Sequence, residues 1–194
     1  MISTKTKIYF ASDFHLGIPD RKSSLVREKK LIRWLDMVQQ DAEAIYLMGD
    51  LFDFWFEYKN VVPKGYTRLF SKLAEITEKG IPVHFFKGNH DFWAFNYLDE
   101  ESGVTIHDDT QVIDLKGRKF FLAHGDGLGR IDDATAADRQ HQTEFVLLAQ
   151  PDTFVNEAQA RVRLDAAQFD PLDARRLERS GNPVVQAATL DAAA

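Results

Sequence analysis

The 194-residue sequence contains no cysteine. Disulfide bonds and thiolate metal sites are therefore excluded, and any metal ion has to be held by histidine, aspartate, asparagine or glutamate side chains. Oxygen and imidazole ligands of this kind suit manganese, magnesium, iron or zinc.

Long apolar runs are also missing, since no stretch approaches the roughly 20 apolar residues of a membrane span. The segment Met1–Lys7 is polar and lacks the apolar stretch of a signal peptide. We therefore expect a cytoplasmic protein whose contact with a membrane is at most peripheral, at the surface of the inner membrane.

Clustered positive charge is the third absence. The formal net charge is −6, whereas a nucleic-acid binder needs grouped lysines and arginines for its phosphate contacts. We therefore expect no nucleic-acid partner. A smaller phosphate-bearing substrate stays compatible with this charge, because bound cations would reverse the local field.

Composition changes sharply near Gly129. All twelve lysines lie before it, whereas residues 130–194 hold no lysine and fourteen alanines. This change predicts a core domain at residues 1–129 and a helical segment at residues 130–194, with a disordered tail from about residue 180. Two origins stay open: a helical segment with its own bias, or parts with different histories joined by fusion, frameshift or chimeric construction.

The first part alternates short β-rich runs with runs whose apolar residues recur at helical spacing. The predicted strands are Lys7–Ser12, Ile45–Met48, Pro82–Phe86, Val104–His107, Gln111–Leu115 and Lys119–Ala123, and the predicted helices are Ser23–Gln40 and Tyr66–Lys79. A Lys-Gly turn between the last two strands predicts a hairpin. The order of strands and helices predicts an α/β fold with a largely parallel sheet.

The second part has the mixed apolar and charged pattern of helices. The predicted helices are Asp132–Ala149, Pro151–Leu164 and Pro171–Arg179. The pattern shows no later strand.

Four polar clusters each follow the end of a predicted strand. They are Asp13-Phe14-His15, Gly49-Asp50-Leu51-Phe52-Asp53, Gly88-Asn89-His90-Asp91 and His124-Gly125-Asp126. Because the carboxyl ends of strands in α/β sheets face one crevice, we expect the four loops to converge there. The resulting mixture of carboxylate, amide and imidazole groups is what a pair of divalent metal ions needs.

Each cluster alone has a plainer interpretation. Asp-x-His is a common pair, Gly-Asp after a strand is often a turn, and His124 could be a buried, hydrogen-bonded histidine. Asn89 or Asp91 could cap a helix. Four such clusters in order, each at a strand end, nevertheless favour the metal site.

These four clusters resemble the successive motifs of the calcineurin-like metallophosphoesterases. The surrounding residues, Ser12–Gly17, Gly49–Trp55 and Ala123–Gly129, are similar to those of the UDP-2,3-diacylglucosamine diphosphatases within that family. The resemblance covers about residues 6–129. It implies a sandwich of two sheets flanked by helices, here C-terminally incomplete and followed by a helical segment.

The resemblance also implies a role for each matching residue and two divalent metal ions, Mn²⁺ in our expectation. Asp13 and His15 would bind the first ion, Asp50 would bridge both, and Asn89 and His124 would bind the second. Such a pair of ions activates a water molecule for attack on phosphorus.

Two further residues are expected to be catalytic. His90 would stabilise the phosphoryl oxygens or protonate the leaving group, and Asp91 would orient His90. Many relatives with the lipid substrate have arginine at the position of His90. Asp53 is either a supporting group or a simple turn carboxylate. We also expect Asp53, Trp55, Phe92 and Trp93 to contact substrate, although about half of the aromatic residues near the site should belong to the core.

The sequence departs from the family pattern in one respect. The family's last motif, Gly-His-x-His, supplies two more ligands, and His141 is the only histidine after His124. Each metal ion would then lose one ligand.

The implied function is metal-dependent hydrolysis of a phosphoester or pyrophosphate. The resemblance to the UDP-2,3-diacylglucosamine diphosphatases implies release of UMP and 2,3-diacylglucosamine 1-phosphate in lipid A biosynthesis, so the partner would be a nucleotide-sugar lipid. Two alternatives stay open: another calcineurin-like phosphatase or phosphodiesterase, and an inactive truncated or fused remnant without a complete binuclear centre. The oligomeric state is left open.

Overall fold

The structure is a computed structural model that describes residues 7–115, 117–125, 144–147 and 188–190. Within these residues the chain forms two sheets and three helices. None of the described helices combines the length and the hydropathy required to cross a membrane.

The larger sheet has the strand order β4-β3-β2-β1-β8. Its strands are β1 (Lys7–Ala11), β2 (Ala42–Met48), β3 (Val83–Phe86), β4 (Thr105–His107) and β8 (Ala188–Leu190). The first four pair in parallel, and β8 pairs antiparallel with β1. All four parallel strands therefore end at the same edge of the sheet, as the sequence predicts.

Two long helices connect the parallel strands. Helix α1 (Arg21–Val38) begins after Asp20, whose carboxylate accepts hydrogen bonds from the backbone N–H groups of Lys22 and Ser23. Helix α2 (Thr67–Glu78) ends before Gly80, which adopts a positive φ of 77°. Both helices are confirmed, and all four predicted ends lie within two residues of the observed ends.

The strands separate two apolar cores because alternate side chains point to opposite faces of the sheet. On β2, Ile45 and Leu47 pack among the helices, while Tyr46 and Met48 pack towards the second sheet. Deep burial of both faces explains why the parallel strands are nearly continuous apolar runs.

The second sheet has the order β5-β6-β7. Its strands are β5 (Gln111–Leu115), β6 (Arg118–Ala123) and β7 (Glu144–Leu147). Antiparallel pairing of β5 with β6 confirms the predicted hairpin. Phe120 and Leu122 of β6 pack in the core that lies against the first sheet, so the α/β sandwich is also confirmed.

Two parts of the C-terminal prediction are wrong. Glu144–Leu147 falls inside the predicted helix Asp132–Ala149 but forms β7, parallel to β6. Ala188–Leu190 falls in the tail predicted to be disordered but pairs with β1. A short apolar run such as Phe145–Leu147 fits either a strand or a buried helix. Here pairing with the edge of β6 decides for the strand. The remaining predictions for residues 130–194 concern residues outside those that the structure describes, and so does Asp126 of the fourth polar cluster.

One helix was not predicted. Helix α3 (Tyr97–Ser102) has only six residues and ends at Gly103, which has a positive φ of 65°. Thr77 of α2 donates a hydrogen bond of 2.6 Å to the Ser102 carbonyl. Tertiary contacts therefore hold this turn of helix in place.

Candidate metal centre

Loops that follow β1, β2, β3 and β6 meet at one edge of the molecule. Three donors lie together there: Asp13 after β1, His15 two residues later, and Asp50 after β2. His124, which follows β6 in the second sheet, lies close to the Asp50 carboxylate. The convergence inferred from the sequence is therefore present in the structure.

The donor atoms stand close enough to share cations. His15 Nε2 lies 3.9 Å from Asp13 Oδ1 and 3.6 Å from Asp50 Oδ2, and His124 Nε2 lies 3.4 Å from the same Asp50 oxygen. Atoms that bind one divalent ion at about 2.1 Å are themselves roughly 3 to 4 Å apart. Asp50 is central because its Oδ2 faces both histidines, as a bridging ligand would.

Two buried atoms of this cluster support the assignment. Asp13 Oδ1 and His124 Nε2 are shielded from solvent and make no hydrogen bond. Buried polar atoms are nearly always hydrogen-bonded, and a metal ion is one of the few other partners that satisfies them. The residues of the cluster thus fit a divalent cation.

The electrostatics point in the same direction. Burial alone lowers the pKa of His124, but the Asp50 carboxylate, the Met48 carbonyl and Asp13 together raise it to about 9. Burial alone favours the neutral form of Asp50, yet His124, the His90 N–H and His15 hold its pKa below the ordinary value. The cluster therefore stabilises a positive charge between its carboxylates.

His124 is oriented by a backbone group. Its Nδ1 lies 2.7 Å from the Met48 carbonyl oxygen, which can only accept a hydrogen bond. The neutral ring then carries its proton on Nδ1, and the lone pair of Nε2 points towards Asp50. Metal-binding histidines are commonly fixed in this way.

The backbone of three candidate ligands is in an unfavourable conformation. Asp13, His15 and Asp50 have positive φ angles of 60°, 42° and 52°. Such angles cost non-glycine residues on the order of 1–2 kcal/mol each. The surrounding structure must therefore hold these three residues in place.

Glycines make room for two candidate ligands, Asp50 and His124. A Cβ atom on Gly88 would lie 2.7 Å from the Asp50 backbone nitrogen and closer still to its carboxylate. A Cβ atom on Gly49 would lie 2.6 Å from Cγ of His124. Both are far inside van der Waals contact, so glycine is required for the side chains of Asp50 and His124 to fit.

Asp91 is placed differently from the sequence-based expectation. Its carboxylate is fully buried and accepts hydrogen bonds from the backbone N–H groups of Gly88, Leu51, Asp50 and Phe52, at 2.8, 2.8, 3.3 and 3.3 Å. Asp91 therefore supports the loop of Asp50 and does not orient the ring of His90, because four backbone donors already surround its two oxygens.

The ring of His90 is held by Asp53 instead. His90 Nδ1 lies 2.7 Å from the Asp53 carbonyl oxygen and 3.6 Å from its carboxylate, and the His90 backbone N–H donates to Asp50 Oδ1. Asp53 Oδ1 is also 3.5 Å from His15 Nδ1. Of the two interpretations of Asp53, the structure favours a supporting group between the two histidines.

Asn89 lies in the loop between Gly88 and His90, and its side chain is exposed. Both neighbours contact Asp50, the first by close packing and the second by its backbone N–H. Its role as a ligand stays a prediction.

The predicted substrate role of Trp55 is wrong. Trp55 is 0% exposed, stacks on Phe52 with ring centroids 4.4 Å apart, and donates its indole N–H to buried Glu57. It therefore belongs to the core and cannot reach a ligand. Glu57 also accepts the backbone N–H groups of Asn96 and Tyr97, so it ties this loop to the start of α3.

Phe92 and Trp93, by contrast, are 57% and 41% exposed. Trp93 lies about 6 Å, centroid to centroid, from Phe54, Phe56 and Phe92. We call these four residues the aromatic surface. It adjoins the candidate metal centre, because Phe92 and Trp93 follow His90 and Asp91 in the same loop.

Sequence reasoning missed several supporting residues. Ser24 and Arg27 of α1 bind the backbone that follows β1, and Tyr66 donates a hydrogen bond to the Leu16 carbonyl. The only local signal was a set of polar residues near the start of a helix, which solvent exposure explains equally well.

An α/β sandwich with carboxylate and imidazole donors at its strand ends defines a metal-dependent hydrolase centre. The sequence pattern of the calcineurin-like phosphoesterases matches residues 6–184, and the chain belongs to that family. Membership of this family implies divalent metal ions, in agreement with the donor set. The match extends beyond Gly129, and the division of the chain at that position stays a prediction.

Two relatives are named UDP-2,3-diacylglucosamine hydrolase. The protein from Porphyromonas gingivalis is 47% identical over 122 residues, which is 63% of this chain and 47% of that protein. The protein from Vibrio vulnificus strain YJ016 is 36% identical over 124 residues, or 64% of this chain and 49% of that protein. The chain thus spans about half the length of these relatives.

Among solved structures, the phosphoesterase Yfce from E. coli is 26% identical, with a TM-score of 0.37, and the match covers 64% of this chain and 60% of that one. An archaeal phosphodiesterase is 18% identical, with a TM-score of 0.44, covering 73% and 71% of the two chains.

Proposed function

We propose that the protein is a metal-dependent hydrolase that cleaves the pyrophosphate of UDP-2,3-diacylglucosamine and releases UMP and 2,3-diacylglucosamine 1-phosphate. The observation that carries the reaction class is the convergence of Asp13, His15, Asp50 and His124, with two buried donor atoms that make no hydrogen bond. The substrate rests on the names of the relatives.

The metal ions would be held by a divided ligand set. Asp13 and His15 would bind one ion, Asn89 and His124 the other, and Asp50 both, since its Oδ2 lies between the two histidines. When bound, two divalent cations supply Lewis-acid charge and lower the pKa of water. Mn²⁺ is our choice because oxygen and imidazole ligands suit it.

His90 is proposed to handle the leaving group. With its Nδ1–H donating to the Asp53 carbonyl, Nε2 is the nitrogen that can exchange a proton with substrate. The half-exposed ring packs edge-on against His15, with centroids 4.8 Å apart. His90 therefore borders the metal ligands and still faces solvent, as a proton donor to a departing phosphate must.

The aromatic surface is proposed to contact the acyl chains. Large exposed aromatic groups gathered beside a polar site are unusual on a protein surface and favour an apolar ligand. A substrate with two acyl chains resides in a membrane, so we place the protein at the cytoplasmic face of the inner membrane. Co-sedimentation with lipid vesicles, lost on Trp93→Ser, checks this placement.

The test is Mn²⁺-dependent release of UMP from UDP-2,3-diacylglucosamine by the purified chain. Asp50→Asn keeps the shape of the side chain but removes the bridging charge, so we expect at least a roughly 100-fold lower rate. UDP-N-acetylglucosamine, which carries the same pyrophosphate without long acyl chains, serves as the matched substrate.

Three outcomes discriminate among the candidates. Metal-dependent release from the acylated substrate alone supports the proposal. Equal cleavage of both substrates, or of a simple phosphodiester, indicates another phosphodiesterase of the family. Folded protein that binds no Mn²⁺ and releases nothing above the Asp50→Asn blank indicates an inactive remnant.

A further inference from the structure

The loop after β1 carries two candidate ligands in a conformation that needs support. Asp13 and His15 both have positive φ angles, and the backbone then turns through Gly17, with a φ of 128°. On one side this loop is fixed by backbone hydrogen bonds. The N–H groups of Asp13, His15 and Leu16 donate to the carbonyls of Gly49, Asp50 and Leu51, at 3.2, 3.0 and 3.1 Å.

The other side of the loop is held by two side chains of α1. Arg27 donates from Nε to the Phe14 carbonyl at 3.2 Å, and from Nη2 to the carbonyls of His15, at 2.8 Å, and Ile18. Ser24 Oγ accepts the Gly17 N–H at 2.9 Å. Residues three apart lie on the same face of a helix, so both side chains reach the loop from one direction.

The chemistry of arginine suits this contact. The planar guanidinium presents several N–H donors in fixed directions and accepts none. Three carbonyls that diverge along the loop are therefore satisfied by one side chain. A shorter or more flexible cation would satisfy fewer of them.

We propose that Arg27 is a positioning residue for the metal centre, which acts by holding the His15 carbonyl and with it the directions of the Asp13 and His15 side chains. Ser24 supports the same loop from the next turn. The expected effect of Arg27 on metal binding rests on the proposed function. Its effect on the loop does not, because the hydrogen bonds between Arg27 and the loop involve no ligand.

The first measurement is Mn²⁺ affinity, determined by calorimetric titration of the full chain. Arg27→Ala is expected to bind Mn²⁺ about 10- to 100-fold more weakly, as when other groups that orient metal ligands are removed. Arg27→Lys should fall between Arg27→Ala and the unsubstituted chain. The matched control is Arg33→Ala, which removes an exposed cation from the same helix and should bind Mn²⁺ as the unsubstituted chain does.

The second measurement needs no metal. In the absence of metal, the His15 and Leu16 amides should exchange at least about 10-fold faster in Arg27→Ala than in the unsubstituted chain. Amides in α2 should exchange at the same rate in both proteins. If Arg27→Ala does not fold, the Ser24→Ala and Arg27→Lys variants decide by the same two readouts.

The outcomes separate the two proposals. Unsubstituted protein that binds no Mn²⁺ overturns the proposed function, and the exchange measurement still decides the role of Arg27. Unchanged exchange in the loop, or unchanged Mn²⁺ affinity in a folded Arg27→Ala protein whose parent binds Mn²⁺, overturns the positioning role alone.

Discussion

Asp91 shows how one buried carboxylate can organise a loop. Burial raises its pKa to about 6, the Asp50 carboxylate contributes to the same rise, and the backbone N–H groups it accepts act against it. With this pKa the carboxyl group is still mostly ionised at neutral pH, and the backbone N–H donors favour that ionised form. Replacing one carboxylate oxygen by an amide NH₂ would set donor against donor.

We therefore predict that Asp91→Asn lowers the free energy of unfolding by roughly 2–4 kcal/mol, the cost of leaving buried groups without partners. Urea denaturation at pH 7.5 measures it, and Asp99→Asn, an acid in the first turn of α3, is the control. A loss below about 1 kcal/mol would contradict the structural role assigned to Asp91. Mn²⁺ affinity should fall as well, because the same N–H groups position Asp50.

At the scale of elements, the β2, β3 and β4 strands carry a row of aromatic rings. His84 stacks on Tyr46 with centroids 4.6 Å apart, and its Nδ1 lies 3.1 Å from Nε2 of His107. His107 stacks in turn on Phe86 at 4.5 Å. Burial lowers the pKa of His84 to about 4, and the adjacent His107 contributes to the shift.

The burial of His84 in this row predicts that the folded protein loses stability in acid. The unfolded chain takes up a proton on His84 below a pH of about 6.5, whereas the folded protein resists it until a pH of about 4. The stability contributed by neutral His84 is thus present above pH 6.5 and is lost as the pH falls from 6.5 to 4. Because His84 is partly exposed, we discount the effect to roughly 1 kcal/mol at pH 5.

The variant that tests it is His84→Phe, which keeps an aromatic ring against Tyr46 but cannot be protonated. The free energy of unfolding is measured at pH 7 and at pH 5 for both proteins. The loss between these two pH values should be about 1 kcal/mol smaller in His84→Phe than in the unsubstituted protein. Equal differences in the two proteins would show that His84 does not carry the effect.

Elements predicted from the sequence share one property: their signals are local. Strands β1 to β3 are apolar runs stopped by polar residues or glycine, and α2 is closed by Gly80, so chain position alone indicates their ends. The same local signals, polar residues or glycine after an apolar run, predicted that Asp13, His15, Asp50 and His124 follow strand ends. The candidate metal cluster was predictable because parallel strands bring their carboxyl ends to the same edge of the sheet.

What the sequence did not reveal depends on distant partners. Strand β7 needs the edge of β6, and α3 needs Glu57 and Thr77, none of which is marked in the local pattern. Arg27 reaches back along the chain to the Phe14 and His15 carbonyls. Trp55 has the composition of a ligand contact, and only its packing against Phe52 shows that it is buried.

At the scale of the whole molecule, metal binding should raise the free energy of unfolding. A ligand at about 100 times its Kd adds about 2.7 kcal/mol to the folded state. For a chain of this length each kcal/mol raises Tm by roughly 2–4 °C, so we predict that saturating Mn²⁺ raises Tm by about 5–10 °C. Differential scanning calorimetry with and without chelator measures the shift.

Asp50→Asn is the control for that experiment, since it keeps the shape of the side chain and removes the charge that the two proposed ions would share. A shift of equal size in Asp50→Asn would mean that Mn²⁺ binds elsewhere. Repeating the measurement with Mg²⁺ and Zn²⁺ ranks the metals by stabilisation, independently of any turnover.

The three tryptophans occupy three different environments. Trp55 is fully buried, Trp34 packs edge-on against Tyr9 with centroids 6.2 Å apart, and Trp93 lies in the aromatic surface at 41% exposure. The molecule therefore contains its own optical probes, with no label required. Emission from Trp93 should shift to shorter wavelength when an acyl chain covers it, while Trp55 keeps its spectrum until the core unfolds. Ligand capture and global unfolding can thus be followed separately in one cuvette.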